Sequence, residues 1–347
     1  MSLLAVASTT GMTACVKDGH GKVQLKIYYA DSLAVPFLAI EKEFETKYPD
    51  IDVMLEGHGS LQVIRSVTEL GQDVDLAAVA DYQLIPLLMY QTQMPNNQGP
   101  YADWYIEFAT NKIGIAYKNN SLYSSEINIQ NWYQILSRPG VRIGLADPRI
   151  DSLGYRALMV TQLAQDYYKD NTIFQKLITD NFKAGFEVTT DNGKSTINVP
   201  LIVEPTQNNI SLRSYNLQLL SLLESGDLDY IFEYESVAAQ HGLNFLELPP
   251  AIDLSSQEYA DNYQQVTVEL GFQRFAAVLP KFEGAQIIYG ATIPKNAQHP
   301  QEAEKFIQFL LDSDGQSILA GNYQPPLIPA KADDVTKIPV SLQQLLK

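Results

Sequence analysis

Val23-Gln24-Leu25-Lys26-Ile27-Tyr28-Tyr29-Ala30-Asp31-Ser32-Leu33-Ala34-Val35-Pro36-Phe37 is the stretch that decides the fold. Its first seven residues alternate as a strand with two unlike faces requires. After Asp31 and Ser32, the residues Leu33, Phe37, Ile40 and Phe44 share one helical face. Pro36 fits only in that helix's first turn, where its missing N–H loses no partner. Ile51-Asp52-Val53-Met54-Leu55 predicts a second strand. Leu61, Ile64, Val67 and Leu70 predict a second helix, stopped by Gly71. Residues 74–80 form an apolar run of the kind buried in a parallel sheet. The order β-α-β-α-β predicts an open α/β sheet.

In such sheets ligands bind beyond the carboxyl ends of strands, where helices begin. Ser32 and Ser60 both fall there. Two turns carrying small hydroxyl residues would aim hydroxyls and backbone N–H groups at one point. Gly57 and Gly59 permit close backbone approach. Helix capping would explain either serine alone; the pair points to a site.

Further along, 113–117 reads as a strand leaving the first lobe, 132–136 as a short helix and 141–145 as a strand. A helix follows from about 153 to 168, with Asp151 at its N-cap position. Residues 229–234 predict a strand and 235–240 a helix ending near Gly242. Residues 286–293 predict a strand returning to the first lobe. In 301–311, Ala303, Phe306, Ile307 and Leu310 line one helix face. Residues 186–202 and 263–281 read as hairpins or embellishments of the second lobe. Glu233 stands mid-strand among Ile231, Phe232 and Tyr234, where a carboxylate is costly to bury without a partner.

The length of 347 residues suits two α/β lobes better than one core. Net charge is −16, from 24 basic and 40 acidic residues, and no basic stripe is present. That excludes a nucleic-acid partner, which needs clustered Lys and Arg. The 20 tyrosines against 2 tryptophans suit a wide cleft wall, with rings packed and hydroxyls wet. The single cysteine, Cys15, excludes an intrachain disulfide and a multi-thiolate metal site. It follows a run of small residues and precedes polar ones, like the end of a secretory lipoprotein signal. No stretch reaches the ~20 apolar residues of a membrane span. Nucleophile elbow, P-loop, HExxH and dinucleotide fingerprints are absent. His20, His58, His241 and His299 are scattered without metal-ligand spacing.

Four segments carry a more specific likeness. They are Asp31-Ser32-Leu33-Ala34-Val35-Pro36-Phe37; Gly57-His58-Gly59-Ser60 with 75–81; 147–156, ending Gly154-Tyr155-Arg156; and Asp229-Tyr230-Ile231-Phe232-Glu233-Tyr234-Glu235-Ser236-Val237-Ala238. A more general one lies in Ala291-Thr292-Ile293-Pro294-Lys295-Asn296-Ala297. With these the chain resembles the solute-binding proteins of ABC importers, and among them the archaeal-type molybdate/tungstate-binding family. The likeness runs from about 23 to 347 and is weakest around 185–215.

The resemblance implies a two-lobed Venus-flytrap fold of the periplasmic binding protein type II. Each lobe would be an open, mostly parallel sheet flanked by helices, and two crossing strands would form the hinge. Residues 1–22 would be a signal or lipoprotein linker remnant, 23–110 with 285–347 lobe one, and 111–284 lobe two. It implies no enzyme activity, no cofactor, molybdate or tungstate as ligand, and a membrane permease as partner. It further implies an extracytoplasmic monomer, held at the membrane only through a lipid on Cys15. Ser32, Ser60 and Gly59 would cradle the oxyanion, while Asp151 and Glu233 would reach its metal centre beside Tyr234. Glu235 is the alternative register for the second carboxylate. His58 stands where the family is expected to carry a small residue.

A carboxylate beside a dianion is repulsive, at about 4 kcal/mol for unit charges ~4 Å apart in an effective dielectric of 20. Mo(VI) and W(VI) differ from sulfur and phosphorus as large, hard centres that accept further oxygen donors. Two carboxylate oxygens added to four oxo groups would complete a distorted octahedron. The same carboxylates would repel sulfate and phosphate. Two alternatives stand beside this reading. One is a binding protein for another oxyanion or for ferric iron, with Tyr234 as a ligand. The other is a glycoside hydrolase using Asp151 and Glu233 as its carboxylate pair.

Overall fold

The computed structural model describes residues 21–206, 209–270 and 280–346. Cys15, and with it the lipid-anchor expectation, lies outside the described residues. So does His20.

The chain opens with strand β1 (Val23–Ala30), which buries Leu25, Ile27 and Tyr29. A 3-10 turn over Asp31–Leu33 leads into α1 (Ala34–Lys47), with Pro36 in its first turn. Phe37 and Phe44 of this helix are fully buried. Strand β2 (Ile51–His58), helix α2 (Ser60–Thr68) and strand β3 (Leu76–Val79) complete the predicted β-α-β-α-β unit. Strands β4 (Ile106–Thr110) and β5 (Ile113–Tyr117) follow, then α3 (Trp132–Leu136), β6 (Ile143–Ala146), α4 (Ser152–Tyr168) and α5 (Ile173–Leu177). Next come β7 (Glu187–Asp191), β8 (Lys194–Val199), β9 (Ile210–Arg213), α6 (Asn216–Ser225), β10 (Tyr230–Tyr234), α7 (Glu235–Gln240) and β11 (Asn244–Leu246). The chain continues through α8 (Ala260–Tyr263), β12 (Val266–Leu270), β13 (Lys281–Glu283) and β14 (Ile288–Thr292). It ends with α9 (Pro300–Leu311), α10 (Ser313–Gly321), β15 (Pro326–Ala332) and α11 (Val340–Gln343).

These strands form three sheets. Lobe one holds six strands in the order β15-β4-β14-β3-β1-β2. Lobe two holds five, β11-β5-β10-β6-β9, and a smaller sheet, β13-β12-β8-β7. The two-lobed fold is as expected, but the sheets are mixed rather than mostly parallel. β1 runs parallel to β2 and β3, and β6 runs parallel to β9 and β10. β14 lies antiparallel to β3 and β4, and β5 lies antiparallel to β10 and β11. Strands linked by helical crossovers come out parallel. Strands that carry the chain between lobes enter from the opposite end and run against their neighbours.

Two further features belong to the small sheet of lobe two. The β7–β8 hairpin turns on Asn192 and Gly193, both at positive φ, the conformation an Asn-Gly turn favours. Tyr155 of α4 stacks on Phe282 of the same small sheet, ring centroids 4.3 Å apart. The chain passes from the lobe-one sheet to lobe two between β4 and β5, and returns between β13 and β14. At the first crossing the buried Asn111 donates through Nδ2 to the Ser236 hydroxyl (2.8 Å) and the Tyr289 hydroxyl (3.1 Å). One side chain thereby ties elements of both lobes. At the far side of lobe one, Phe306 of α9 packs edge-on against Phe37 and Phe44, so the chain's two ends share one core.

Candidate functional site

Each serine of the first lobe stands where its strand gives way to a helix. Ser32 Oγ lies 2.9 Å from the Tyr289 hydroxyl. Ser60 is the first residue of α2. Its Oγ accepts from the Ala80 amide (3.1 Å) and lies 3.2 Å from Ser152 Oγ of the second lobe. Neither serine caps a helix, since no side-chain cap bond is made at these helix starts. The capping explanation for the pair therefore fails; the Ser60 hydroxyl meets lobe two at Ser152, and the Ser32 hydroxyl meets Tyr289 of lobe one's own β14. The amides expected to face a ligand at the start of α2 are engaged: Leu61 N and Gln62 N donate to the Ile150 carbonyl at 3.1 and 3.3 Å. Gly59 is packed directly on lobe two. A Cβ there would lie 2.7 Å from the Ile150 oxygen and 3.1 Å from Asp151 Cβ.

From lobe two come the two predicted carboxylates. Asp151 caps α4, its Oδ1 accepting from Leu153 N at 3.1 Å. Its Oδ2 is buried and has no partner. Glu233 sits in β10 and is fully buried. Its Oε1 accepts from the Tyr234 amide (2.7 Å) and from Asn216 Nδ2 (3.5 Å), while Oε2 is buried without a partner. Glu235 is a surface residue, 3.5 Å from Lys112 Nζ, so Glu233 is the carboxylate that enters the cluster.

Asp31 is a third buried carboxylate, supplied by lobe one. Its Oδ2 accepts from the Asn216 amide at 3.0 Å. Burial pushes the Glu233 carboxyl up to about 8 and the Asp151 carboxyl up to about 6. Asp31 is raised well above the usual carboxylate range, first by burial and then by the charges of Asp151 and Glu233. Charges that raise one another's proton affinity in this way share one low-dielectric site.

Tyr234 faces the same cluster. Its hydroxyl accepts from Arg156 Nη1 (2.9 Å) and lies 3.3 Å from Ser152 Oγ. Arg156 is itself buried, and its Nη1 also donates to the Ala80 carbonyl at 2.7 Å. Its Nη2 lies 3.4 Å from Asp81 Oδ2, which accepts in turn from the Tyr155 hydroxyl at 2.6 Å. His58 stays outside, with Nε2 2.9 Å from Glu56 Oε1 and its ring tilted against Tyr28 and Tyr215.

Ser32, Ser60, Gly59, Asp151, Glu233 and Tyr234 thus converge at one junction between the lobes. Sequence reasoning assigned no role to Asp31, Ser152, Asn216, Tyr289 or the Arg156 guanidinium. Asp31 adjoins a predicted site residue and Arg156 ends a quoted motif, so position was the available signal for both. Asn216 had none. Among the described residues, no group of three or more His, Cys, Asp or Glu is arranged to hold a metal ion. What the cluster offers is two partnerless carboxylate oxygens beside hydroxyl groups, able to add oxygen ligands to an electron-poor centre.

The family described as bacterial extracellular solute-binding protein matches residues 25–322. An uncharacterized solute-binding protein of Methanoculleus marisnigri is 40% identical over 326 residues, covering 94% of this chain and 87% of its own. Among solved structures, the periplasmic molybdate-binding protein of Azotobacter vinelandii aligns with a TM-score of 0.54 at 16% identity, covering 86% of this chain and 98% of that one. A sulfate-binding protein from Mycobacterium tuberculosis aligns with a TM-score of 0.53 at 14% identity, covering 88% of each chain. At these identities the structural likeness concerns the fold. Among the described residues no helix is long and apolar enough to cross a membrane. From the match over residues 25–322 and the relative spanning most of both chains, this protein belongs to the bacterial extracellular solute-binding protein family and is a solute-binding protein of the ABC-transporter type.

Proposed function

We propose that the solute is molybdate or tungstate, enclosed between the lobes and delivered to a membrane permease. The observation that carries this reading is the pair of buried oxygens without partners, Asp151 Oδ2 and Glu233 Oε2. A buried carboxylate oxygen left unpaired is costly. Coordination to Mo(VI) or W(VI) offsets that cost, because a hard hexavalent centre accepts oxygen donors beyond its four oxo groups. Ser32 and Ser60 supply uncharged hydroxyl donors to the oxo groups. Sulfate and phosphate have no such vacant coordination and meet only the carboxylates' repulsion. The Tyr234 hydroxyl, the ligand a ferric site would use, is already held by the Arg156 guanidinium at 2.9 Å.

Calorimetric titration of the purified protein with molybdate, tungstate, sulfate, phosphate and ferric iron tests the proposal. Tungstate or molybdate should bind and the others should not. Asp151→Ala and Glu233→Ala should each weaken tungstate by about 100-fold, equivalent to about 3 kcal/mol, with the fold retained. X-ray absorption at the tungsten edge should report six oxygen neighbours. Four neighbours, or sulfate binding as tight as tungstate, would refute the assignment. Cys15 remains the proposed site of a lipid anchor, which mass spectrometry of the membrane-associated protein would reveal.

A further inference from the structure

We propose that Asp31 is a closure-dependent positioning residue: a lobe-one carboxylate that caps helix α6 of lobe two and, through Asn216, sets the place of Glu233. Helix α6 lacks a cap of its own. Tyr215 precedes α6 with extended backbone (φ −137°, ψ 148°) and makes no side-chain cap bond. The amide of Asn216, the first helical residue, has no acceptor within the helix, as is true of every first-turn amide. Its acceptor comes from 185 residues away, where Asp31 Oδ2 lies at 3.0 Å. Both residues are buried, at 5% and 1% exposure. A side-chain oxygen placed there satisfies a donor that the helix cannot satisfy itself.

Asn216 then continues the chain of contacts. Its side-chain Nδ2 lies 3.5 Å from Glu233 Oε1, whose other oxygen is the partnerless one. The cap and the positioning of Glu233 therefore pass through one residue. Because Asp31 belongs to one lobe and α6 to the other, the cap exists only while the lobes are together. It joins lobe one to lobe two directly beside the carboxyl of Glu233.

The test uses the full chain and hydrogen exchange at single amides, in wild type, Asp31→Ala and Asp31→Asn. Since the Asn216 amide has no intrahelical acceptor, its hydrogen-bonded protection depends on Asp31. In ligand-free protein, Asp31→Ala should speed exchange at Asn216 about tenfold, the loss expected for a helix cap. Amides of 220–223 should be unaffected, which also verifies that the variant folds. Asp31→Asn keeps a side-chain carbonyl acceptor and should retain part of the protection. A second arm rests on the oxyanion reading above: bound tungstate should dissociate about tenfold faster from Asp31→Ala, at an unchanged association rate. Equal Asn216 exchange in wild type and Asp31→Ala overturns the proposal. So does an unchanged tungstate dissociation rate in that variant. If wild type fails to bind tungstate while the exchange difference persists, the ligand assignment falls and the cap stands.

Discussion

Arg156 Nη1 lies 2.7 Å from the Ala80 carbonyl oxygen, fastening helix α4 of lobe two to the end of strand β3 in lobe one. The same guanidinium holds the Tyr234 hydroxyl and faces Asp81, so one buried cation serves both halves of the molecule. Burial opposes its charge, but Tyr234, Asp81 and Tyr155 outweigh burial and keep it protonated. Through the Tyr234 hydroxyl, Arg156 brings a guanidinium to a cluster of carboxylates and hydroxyls.

Replacing Arg156 removes a partner from a buried ion pair and leaves Asp81 with neutral donors only, the Tyr155 hydroxyl and the Gln83 amide. Arg156→Gln should therefore cost about 3 kcal/mol of unfolding free energy, read as a lowered urea midpoint. Combined with Asp81→Asn the loss should be less than the sum of the two, by more than about 0.5 kcal/mol. Strict additivity would show that the two groups do not interact.

The raised carboxyls set a pH dependence of known sign. Glu233 rises from 4.5 to about 8 and Asp151 from 3.8 to about 6 on folding. The folded state thus holds these protons more tightly than the unfolded chain does. Their contribution to stability is fully present below the unfolded values and declines as pH rises. For Asp151 it is lost through about pH 6, and for Glu233 through about pH 8. Ligand-free protein should melt at progressively lower temperature between pH 6 and 8, and Glu233→Gln should flatten that fall. Scanning calorimetry at fixed ionic strength reads both. A wild-type curve and a Glu233→Gln curve of the same slope would contradict the raised carboxyl. Ligand coordination needs the carboxylates ionised, so tungstate binding at pH 6 to 7 should release protons.

Gly59 has ordinary backbone torsions (φ −62°, ψ 144°), so alanine imposes no local strain there. The added methyl would instead press on the Ile150 oxygen and on Asp151 across the boundary between lobes. Gly59→Ala should weaken tungstate at least about tenfold through impaired closure, with little change in the melting temperature of ligand-free protein. Wild-type affinity in this variant would mean that the two lobes do not meet at Gly59 when the ligand is bound.

Local periodicity determined a good deal. The alternation in β1, the helical face of Phe37, Ile40 and Phe44, and the Asp151 cap depend on neighbours within about four residues, and the structure bears them in those places. Over 186–202 the sequence reading reached only hairpins or embellishments, and the structure places the Asn192-Gly193 turn there. Burial also separates Glu233 from Glu235: the mid-strand residue among apolar neighbours is the one inside, while its neighbour two positions on starts α7 at the surface.

Only the tertiary structure decided what lies across the cleft. Ser60 meets Ser152 over 92 residues of separation, and Asp31 meets Asn216 over 185. The direction of β14 and β5, which makes both large sheets mixed, depends on where the chain crosses between lobes. Side-chain periodicity encodes which face of an element is apolar, because that is set by bonds along the chain. Which face meets which across two lobes is set by packing in three dimensions, and no local spacing carries it.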